Sequence, residues 1–274
     1  MPLGLTNGLG GVLWCCGTME SAGIPGAEEL TGSVLRLLLE LEVIWSDNVT
    51  VREGLSGLLL ALGSLPKQNT QALSCARLGA ERLLAAEIPD KPELMSGTAG
   101  LAAALSEAFR LTGDARCAER AEEVLREVRD AYEPSLGGWP DSRTKIRWMA
   151  DRGPQAAGIA LAAFYAGERL DTPAARELLD LAALSLTDAA AIKIDDTLEE
   201  GNALDVLTLL RLGEIERAGR VLEAMARRAD KKGSFAVAPA GIRSAFDPSV
   251  WMGSLGVGVA ALRYLETMGK EDDK

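Results

Sequence analysis

The sequence predicts an all-α protein built as a ring of helical hairpins, and three observations carry that reading. Short glycine-containing blocks recur six times, each opening an apolar run. Amphipathic segments rich in strong helix formers fill the intervals between them. The blocks close at Gly11, Gly57, Gly100, Gly158, Leu204 and Gly256, a spacing of roughly 43 to 58 residues that fits one pair of helices per repeat.

The inner helices open at N-G-L-G-G-V-L-W from Asn7, E-G-L-S-G-L-L-L from Glu53 and S-G-T-A-G-L-A-A-A-L from Ser96. The second three open at P-Q-A-A-G-I-A-L from Pro154, E-G-N-A-L-D-V-L from Glu200 and M-G-S-L-G-V-G-V from Met252. Runs such as L-A-A-A-L from Leu101 are small and nearly uncharged, as helices packed on several sides must be. Between them, A-R-C-A-E-R-A-E-E-V-L-R-E-V from Ala115 and E-I-E-R-A-G-R-V-L-E-A-M-A-R-R from Glu214 set apolar residues at helical spacing, with charges on the remaining face. These are outer, half-solvated helices. Glycine at the mouth of each inner helix is expected to turn the chain with positive φ and to permit close approach without a β-carbon. An open solenoid of two-helix repeats has a similar period. It does not need glycine pairs opening each second helix, whereas a ring whose inner helix ends converge on one mouth does. Two intervals are long, and the excess falls in loops running from Tyr132 to Gly153 and from Lys231 to Trp251. Both lead into inner helices and should cover the same mouth, where function usually sits.

Composition sets the outer limits. With 274 residues, 47% hydrophobic and 25% charged, the chain is globular, and it reads as a single domain over 1–274. A net charge of −11 repels phosphate backbones and anionic membrane surfaces, so nucleic acid is not an expected partner. No run reaches the roughly 18 apolar residues of a membrane helix, and the N-terminus lacks a basic start and cleavage pattern; a cytoplasmic location is expected. Cys15, Cys16, Cys75 and Cys117 show no framework spacing and read as free thiols, with the neighbours Cys15 and Cys16 taken as inert core.

Taken together, N-G-L-G-G-V at the start, the repeated G-x-x-G openings, W-P-D-S-R from Trp139 with G-I-A-L-A from Gly158, L-x-x-G-N from Leu198 to Asn202, and G-S-L-G-V-G-x-x-x-L-R from Gly253 resemble a known family. It is the cyclase domain of lanthionine synthetases, and the chain is most similar to the C-terminal domain of the bifunctional class II enzymes. The resemblance covers essentially the whole chain. It implies an α,α-toroid of inner and outer helices, and an activity that adds cysteine thiols to dehydroalanine or dehydrobutyrine in a ribosomal peptide to form thioether rings. Typical members hold zinc with one cysteine from a W-C-x-G motif and a Cys-His pair from a C-H-G motif, with another histidine nearby. On this sequence the first cysteine falls at about Gly153, the Cys-His pair on Glu199 and Glu200, and the other histidine on Ser96. The chain has no histidine, and no cysteine lies in these blocks, so the soft ligands zinc prefers are missing. No metal and no other cofactor is expected. A carboxylate-only cation site from Glu199, Glu200 and Asp205 is the weaker reading, because adjacent side chains at a helix start diverge. Class III members of the family also lack zinc ligands, so cyclisation remains the expectation.

In a zinc-free reaction, Glu199 or Glu200 would take the thiol proton, and Arg143, Arg147 or Arg152 would stabilise the thiolate or the enolate. Asp151 would hold an arginine or donate a proton. Ser96, Trp139, Asp141, Trp148, Asn202 and Trp251 are the candidate peptide contacts. Each has a bland alternative: carboxylates favour a helix N-terminus, Asp-Arg neighbours in loops are commonly solvated, and tryptophans anchor loops. The competing functions are a non-catalytic scaffold that binds the precursor peptide or other maturation enzymes and, ranked last because aromatic platforms are scarce, a glycosidase using two carboxylates. The family's toroids usually have seven hairpins, whereas six inner helices are found here and the first lies almost at the start. That shortfall predicts a homodimer or docking onto a partner subunit, unless the ring closes with fewer hairpins.

Overall fold

A computed structural model of the chain describes residues 2–6, 8–40, 47–66, 69–140, 155–186, 193, 195–199, 201–237 and 250–272. Among them the fold is all-α. Its eleven helices are α1 (Leu9–Ser21), α2 (Ala27–Glu40), α3 (Leu55–Gly63), α4 (Thr70–Ala85), α5 (Thr98–Thr112) and α6 (Ala115–Asp130), followed by α7 (Ala156–Leu170), α8 (Pro173–Ser185), α9 (Asn202–Arg211), α10 (Ile215–Lys232) and α11 (Ser254–Asp272). The odd-numbered helices are those opened by the six blocks. No helix among the described residues is long and apolar enough to cross a membrane.

The chain divides into two compact units, one of Met1–Ala131 with Ala162–Leu179, the other of Tyr132–Leu161 with Asp180–Lys274. In the first unit α1 packs on α2 and α3, α3 on α4 and α5, and α5 on α6, while α2, α4 and α6 pack in a second row. In the second unit α9 packs on both α10 and α11. The two helix types differ in burial as their composition requires. From Thr98 to Ala108 every residue of α5 is buried, whereas α6 buries only the stripe Cys117, Ala121, Val124, Leu125 and Val128. The outer helices α4 and α6 start on side-chain caps: the Asn69 and Asp114 side chains accept the N–H groups of Ala72 and Arg116 at 2.8 and 3.0 Å.

The glycine blocks are built differently from the positive-φ turn that the sequence suggests. Gly8, Gly54, Gly97 and Gly201 precede α1, α3, α5 and α9 with φ of −148°, −119°, −137° and −95°, a range open to other residues. What excludes a side chain is the chain's own lead-in segment. A β-carbon on Gly8, Gly54 or Gly97 would lie 2.4, 2.0 or 2.1 Å from the carbonyl oxygen of Pro2, Asn48 or Lys91, and one on Gly201 would lie 2.7 Å from that of Asp195. The same four carbonyls accept the N–H of the first helical residue, from Leu9, Leu55, Thr98 and Asn202, at 3.1, 2.8, 2.7 and 2.9 Å. Each lead-in therefore folds back onto the mouth of its own helix and satisfies one of the donors left over at a helix start.

The closing glycine obeys the same constraint one turn later. A β-carbon on Gly11, Gly57, Gly100 or Gly256 would sit 2.4, 2.1, 2.1 or 2.2 Å from the carbonyl oxygen of Leu5, Val51, Leu94 or Val250. One backbone hydrogen bond in constant register then joins successive repeats. The N–H five residues before a closing position donates to the carbonyl of its counterpart in the next repeat: Thr6 to Arg52 at 3.1 Å, Arg52 to Met95 at 2.9 Å, and Glu199 to Trp251 at 3.1 Å. Positive φ is used instead where an inner helix hands over to an outer one, at Gly113 (φ 74°) and Gly213 (φ 76°).

A buried ion cluster ties the other ends of the inner helices in the first unit. The Glu107 carboxylate on α5 accepts Arg110 Nε at 2.8 Å and is paired with Arg169, while Arg110 also donates to the Gly63 carbonyl at the end of α3, at 2.9 Å. Gly63 leaves room for this carboxylate, since a β-carbon there would lie 1.8 Å from Glu107 Oε1 and would require the Glu107 side chain to shift.

Candidate functional site

The residues singled out by the sequence centre on the head of α9, in the second unit. Asn202, the first residue of this helix, is buried and has its amide fully engaged. Its Oδ1 accepts the Lys193 N–H at 2.9 Å, and its Nδ2 donates to the carbonyls of Lys193 and Asp195 and to Asp196 Oδ1, at 3.0, 2.9 and 2.8 Å. Thr98 does the same at the head of α5, donating to Pro89 and Lys91 at 2.5 and 2.9 Å. Pro89 and Lys91 stand in the third repeat where Lys193 and Asp195 stand in the fifth. Asn202 is thus a staple of the lead-in, its amide hydrogen-bonded to the lead-in backbone and to Asp196.

Two ion pairs surround the staple. Asp196, fully buried, accepts the Ala236 N–H at 2.9 Å and is paired with Arg228 of α10, whose guanidinium also donates to the Lys193 carbonyl at 2.6 Å. Lys193 Nζ lies 2.6 Å from Asp205 Oδ1 on α9. Burial pushes the Asp205 carboxyl above the usual carboxylate range, and the Lys193 ammonium only partly offsets it. Asp205, one of the three carboxylates considered for a cation, thus already has an ammonium partner. Among the described residues no group of three histidine, cysteine, aspartate or glutamate side chains is placed to hold a metal ion.

Glu199, in the lead-in ahead of the N-cap Gly201, is buried to 7% exposure, and its N–H carries the inter-repeat bond to Trp251. Trp251 is half-buried against the cluster formed by Leu198, Val206, Val221 and Val257. Trp139, also in the second unit, is 5% exposed, its ring edge-on to Tyr132 at 5.0 Å, and so anchors its loop. Ser96 belongs to the first unit, half-buried in the lead-in to α5. Glu200, Asp141, Arg143, Arg147, Trp148, Asp151 and Arg152 lie outside the described residues.

Sequence reasoning missed Lys193, Asp196 and Arg228. The available signal was the pair Asp195-Asp196 at the distance from its helix at which Lys91 precedes α5. The cysteines are free, as expected. Burial pushes the Cys75 and Cys117 thiols up to about 11 and raises that of Cys16, which suits inert core. Cys15 departs from that expectation, being exposed on α1.

Fold and site together define an all-α protein of glycine-opened helical-hairpin repeats with a buried carboxylate at the head of the fifth inner helix. No family model matches the sequence, and no curated protein matches it.

Proposed function

We propose that the protein is a zinc-independent cyclase of the lanthionine-synthetase type, acting in the cytoplasm on a dehydrated ribosomal peptide alongside other maturation enzymes. The reading brings with it the α,α-toroid that the resemblance implies. The observation that carries it is Glu199: a carboxylate buried to 7% exposure at the mouth of an inner helix, where the family's zinc-binding cysteine falls. Zinc does not fit the residues present, which offer carboxylates, an ammonium and a guanidinium but no imidazole or block thiolate. No step is therefore routed through a metal.

The chemistry asks little of a catalyst beyond placement and proton transfer. A free thiol has a pKa near ~8.5, so a few per cent is thiolate at neutral pH. Glu199 takes the proton from the peptide cysteine. The sulfur lone pair attacks the β-carbon of the dehydroalanine, forming the C–S bond and an enolate, and a proton delivered to the α-carbon completes the thioether. Holding both ends of the future ring in one cavity supplies several kcal/mol through proximity.

Glu199→Gln tests the role directly. The variant is expected to bind dehydrated precursor peptide with unchanged affinity and to form rings about 10²-fold more slowly, measured by alkylating the remaining peptide thiols. Equal rates in the two proteins would remove Glu199 from the reaction. A second reading, a scaffold that binds the peptide without converting it, is favoured by Asn202 and Asp196, whose polar groups are engaged within the fold. Peptide binding with no acceleration over peptide alone would establish it.

A further inference from the structure

Five of the six blocks open on glycine, at Gly8, Gly54, Gly97, Gly201 and Gly253, but the fourth opens on Gln155. Its helical register is the same. The Gln155 carbonyl accepts the Ile159 N–H at 3.0 Å, as those of Gly8, Gly54, Gly97 and Gly201 accept from Val12, Leu58, Leu101 and Asp205 at 3.3–3.4 Å. In those four repeats a β-carbon at the opening position would lie 2.0–2.7 Å from the lead-in carbonyl that receives the first helical N–H. Gln155 carries a β-carbon, so the head of α7 cannot be capped in that way. Its side chain leaves the backbone toward the place that the capping carbonyl fills in the other four.

Two polar groups remain at this helix head. Among the described residues nothing accepts the Ala156 N–H, whereas its counterparts on Leu9, Leu55, Thr98 and Asn202 are all bonded to the lead-in. Gln155 is 6% exposed, and its Oε1 is buried without a hydrogen-bond partner. Leaving a buried carbonyl oxygen without a donor costs free energy, and proteins rarely do so away from a functional group. The groups sit on a firm support. Ala156, Ala157, Ile159 and Ala160 are fully buried, and Thr208 Oγ1 of α9, in the same unit, donates to the Ala157 carbonyl at 3.2 Å. An acceptor beside a donor asks for a ligand with the opposite pair. An anion offers acceptors alone and an ammonium donors alone, but a secondary amide offers both. Its N–H suits Gln155 Oε1, and its carbonyl suits the Ala156 N–H at the positive end of the helix. A backbone carbonyl is also what the equivalent helix heads receive from their own lead-ins.

We infer that Gln155 Oε1 and the Ala156 N–H bind one backbone amide of the peptide substrate, at the head of α7 and in the same unit as the lead-in that carries Glu199. The inference rests on the cyclase reading for the identity of the ligand as a peptide, and it concerns binding rather than ring formation.

The probe is a synthetic peptide, capped at both ends, that carries a dehydroalanine and a cysteine. Its binding to the full chain should shift the amide proton resonance of Ala156. Gln155→Met keeps the length of the side chain but removes the acceptor, and should weaken binding about tenfold, the loss of one hydrogen bond. Methylating the backbone nitrogens of the probe should weaken its binding to the unmodified protein by a similar factor and change little in Gln155→Met, because the same hydrogen bond is already gone. Stability separates a binding role from a structural one by its sign. Without peptide, Gln155→Met should unfold at a higher urea concentration than the unmodified protein, since it relieves a buried acceptor that has no donor. A lower midpoint would mean that the free protein already satisfies this group, and overturns the inference. So does an unmodified protein that does not bind the probe, and so does binding indifferent to Gln155→Met. Binding that depends on Gln155 without faster ring formation than in peptide alone would sink the cyclase reading and leave this inference standing.

Discussion

Asp196→Ala is expected to destabilise the protein by about 3–5 kcal/mol, the range for removing one partner of a buried ion pair. The carboxylate is fully buried and serves three donors at once: the Arg228 guanidinium, the Asn202 amide at 2.8 Å and the Ala236 N–H at 2.9 Å. The Asn202 amide is buried with it, and the charge on the mostly buried Arg228 guanidinium is left uncompensated. Asp196→Asn keeps an acceptor of the same shape while losing the charge, so it should cost distinctly less. Urea unfolding measures both. A loss below about 1 kcal/mol for Asp196→Ala, the cost of an ordinary hydrogen bond, would mean that the cluster does not hold the head of α9.

The second large effect is expected at a glycine. In Gly57→Ala the new methyl would lie 2.1 Å from the Val51 carbonyl oxygen and 2.4 Å from the Leu5 nitrogen, both backbone atoms fixed by the inter-repeat hydrogen bond from Leu5 to Val51 at 2.8 Å. Neither can rotate away, so the lead-in must shift; we expect a loss of about 3 kcal/mol, at the upper end of the usual overpacking range. Gly32→Ala on α2 is the control with opposite sign. Nothing lies within 4 Å of a β-carbon there, and replacing a helical glycine by alanine should raise stability by about 0.5–1 kcal/mol. Equal responses at the two sites would remove close approach as the reason for the blocks.

How much of this was legible in the sequence follows from the range of the forces involved. Helix type was readable because it is written locally: the segment from Ala115 carries its apolar stripe and charges within a few turns, and α6 begins at that residue. The reason for the glycines was legible only in part: close approach was expected, but together with a positive φ that the blocks do not use. Positive φ and close approach demand the same residue, and only the position of carbonyls such as those of Asn48 and Val51 separates them. At the site, the resemblance drew attention to Glu199, but nothing in the residues around Asp196 points to Arg228, a partner 32 positions away on α10. Glu107 and Arg169, 62 positions apart, are hidden for the same reason. Cys15 shows the converse error: an apolar neighbourhood suggested core, but the exposure of one face of α1 depends on what packs beside the helix.

The functional account stands on the claim that this fold forms thioether rings without a bound cation. The most direct measurement is the rate at which chelator-treated protein consumes the thiols of a dehydrated precursor peptide. The account predicts acceleration of at least about 10²-fold over the peptide alone, the lower bound for placed proton transfer, with no change on adding zinc. A rate equal to that of the free peptide, or one that appears only when zinc is restored, would contradict it.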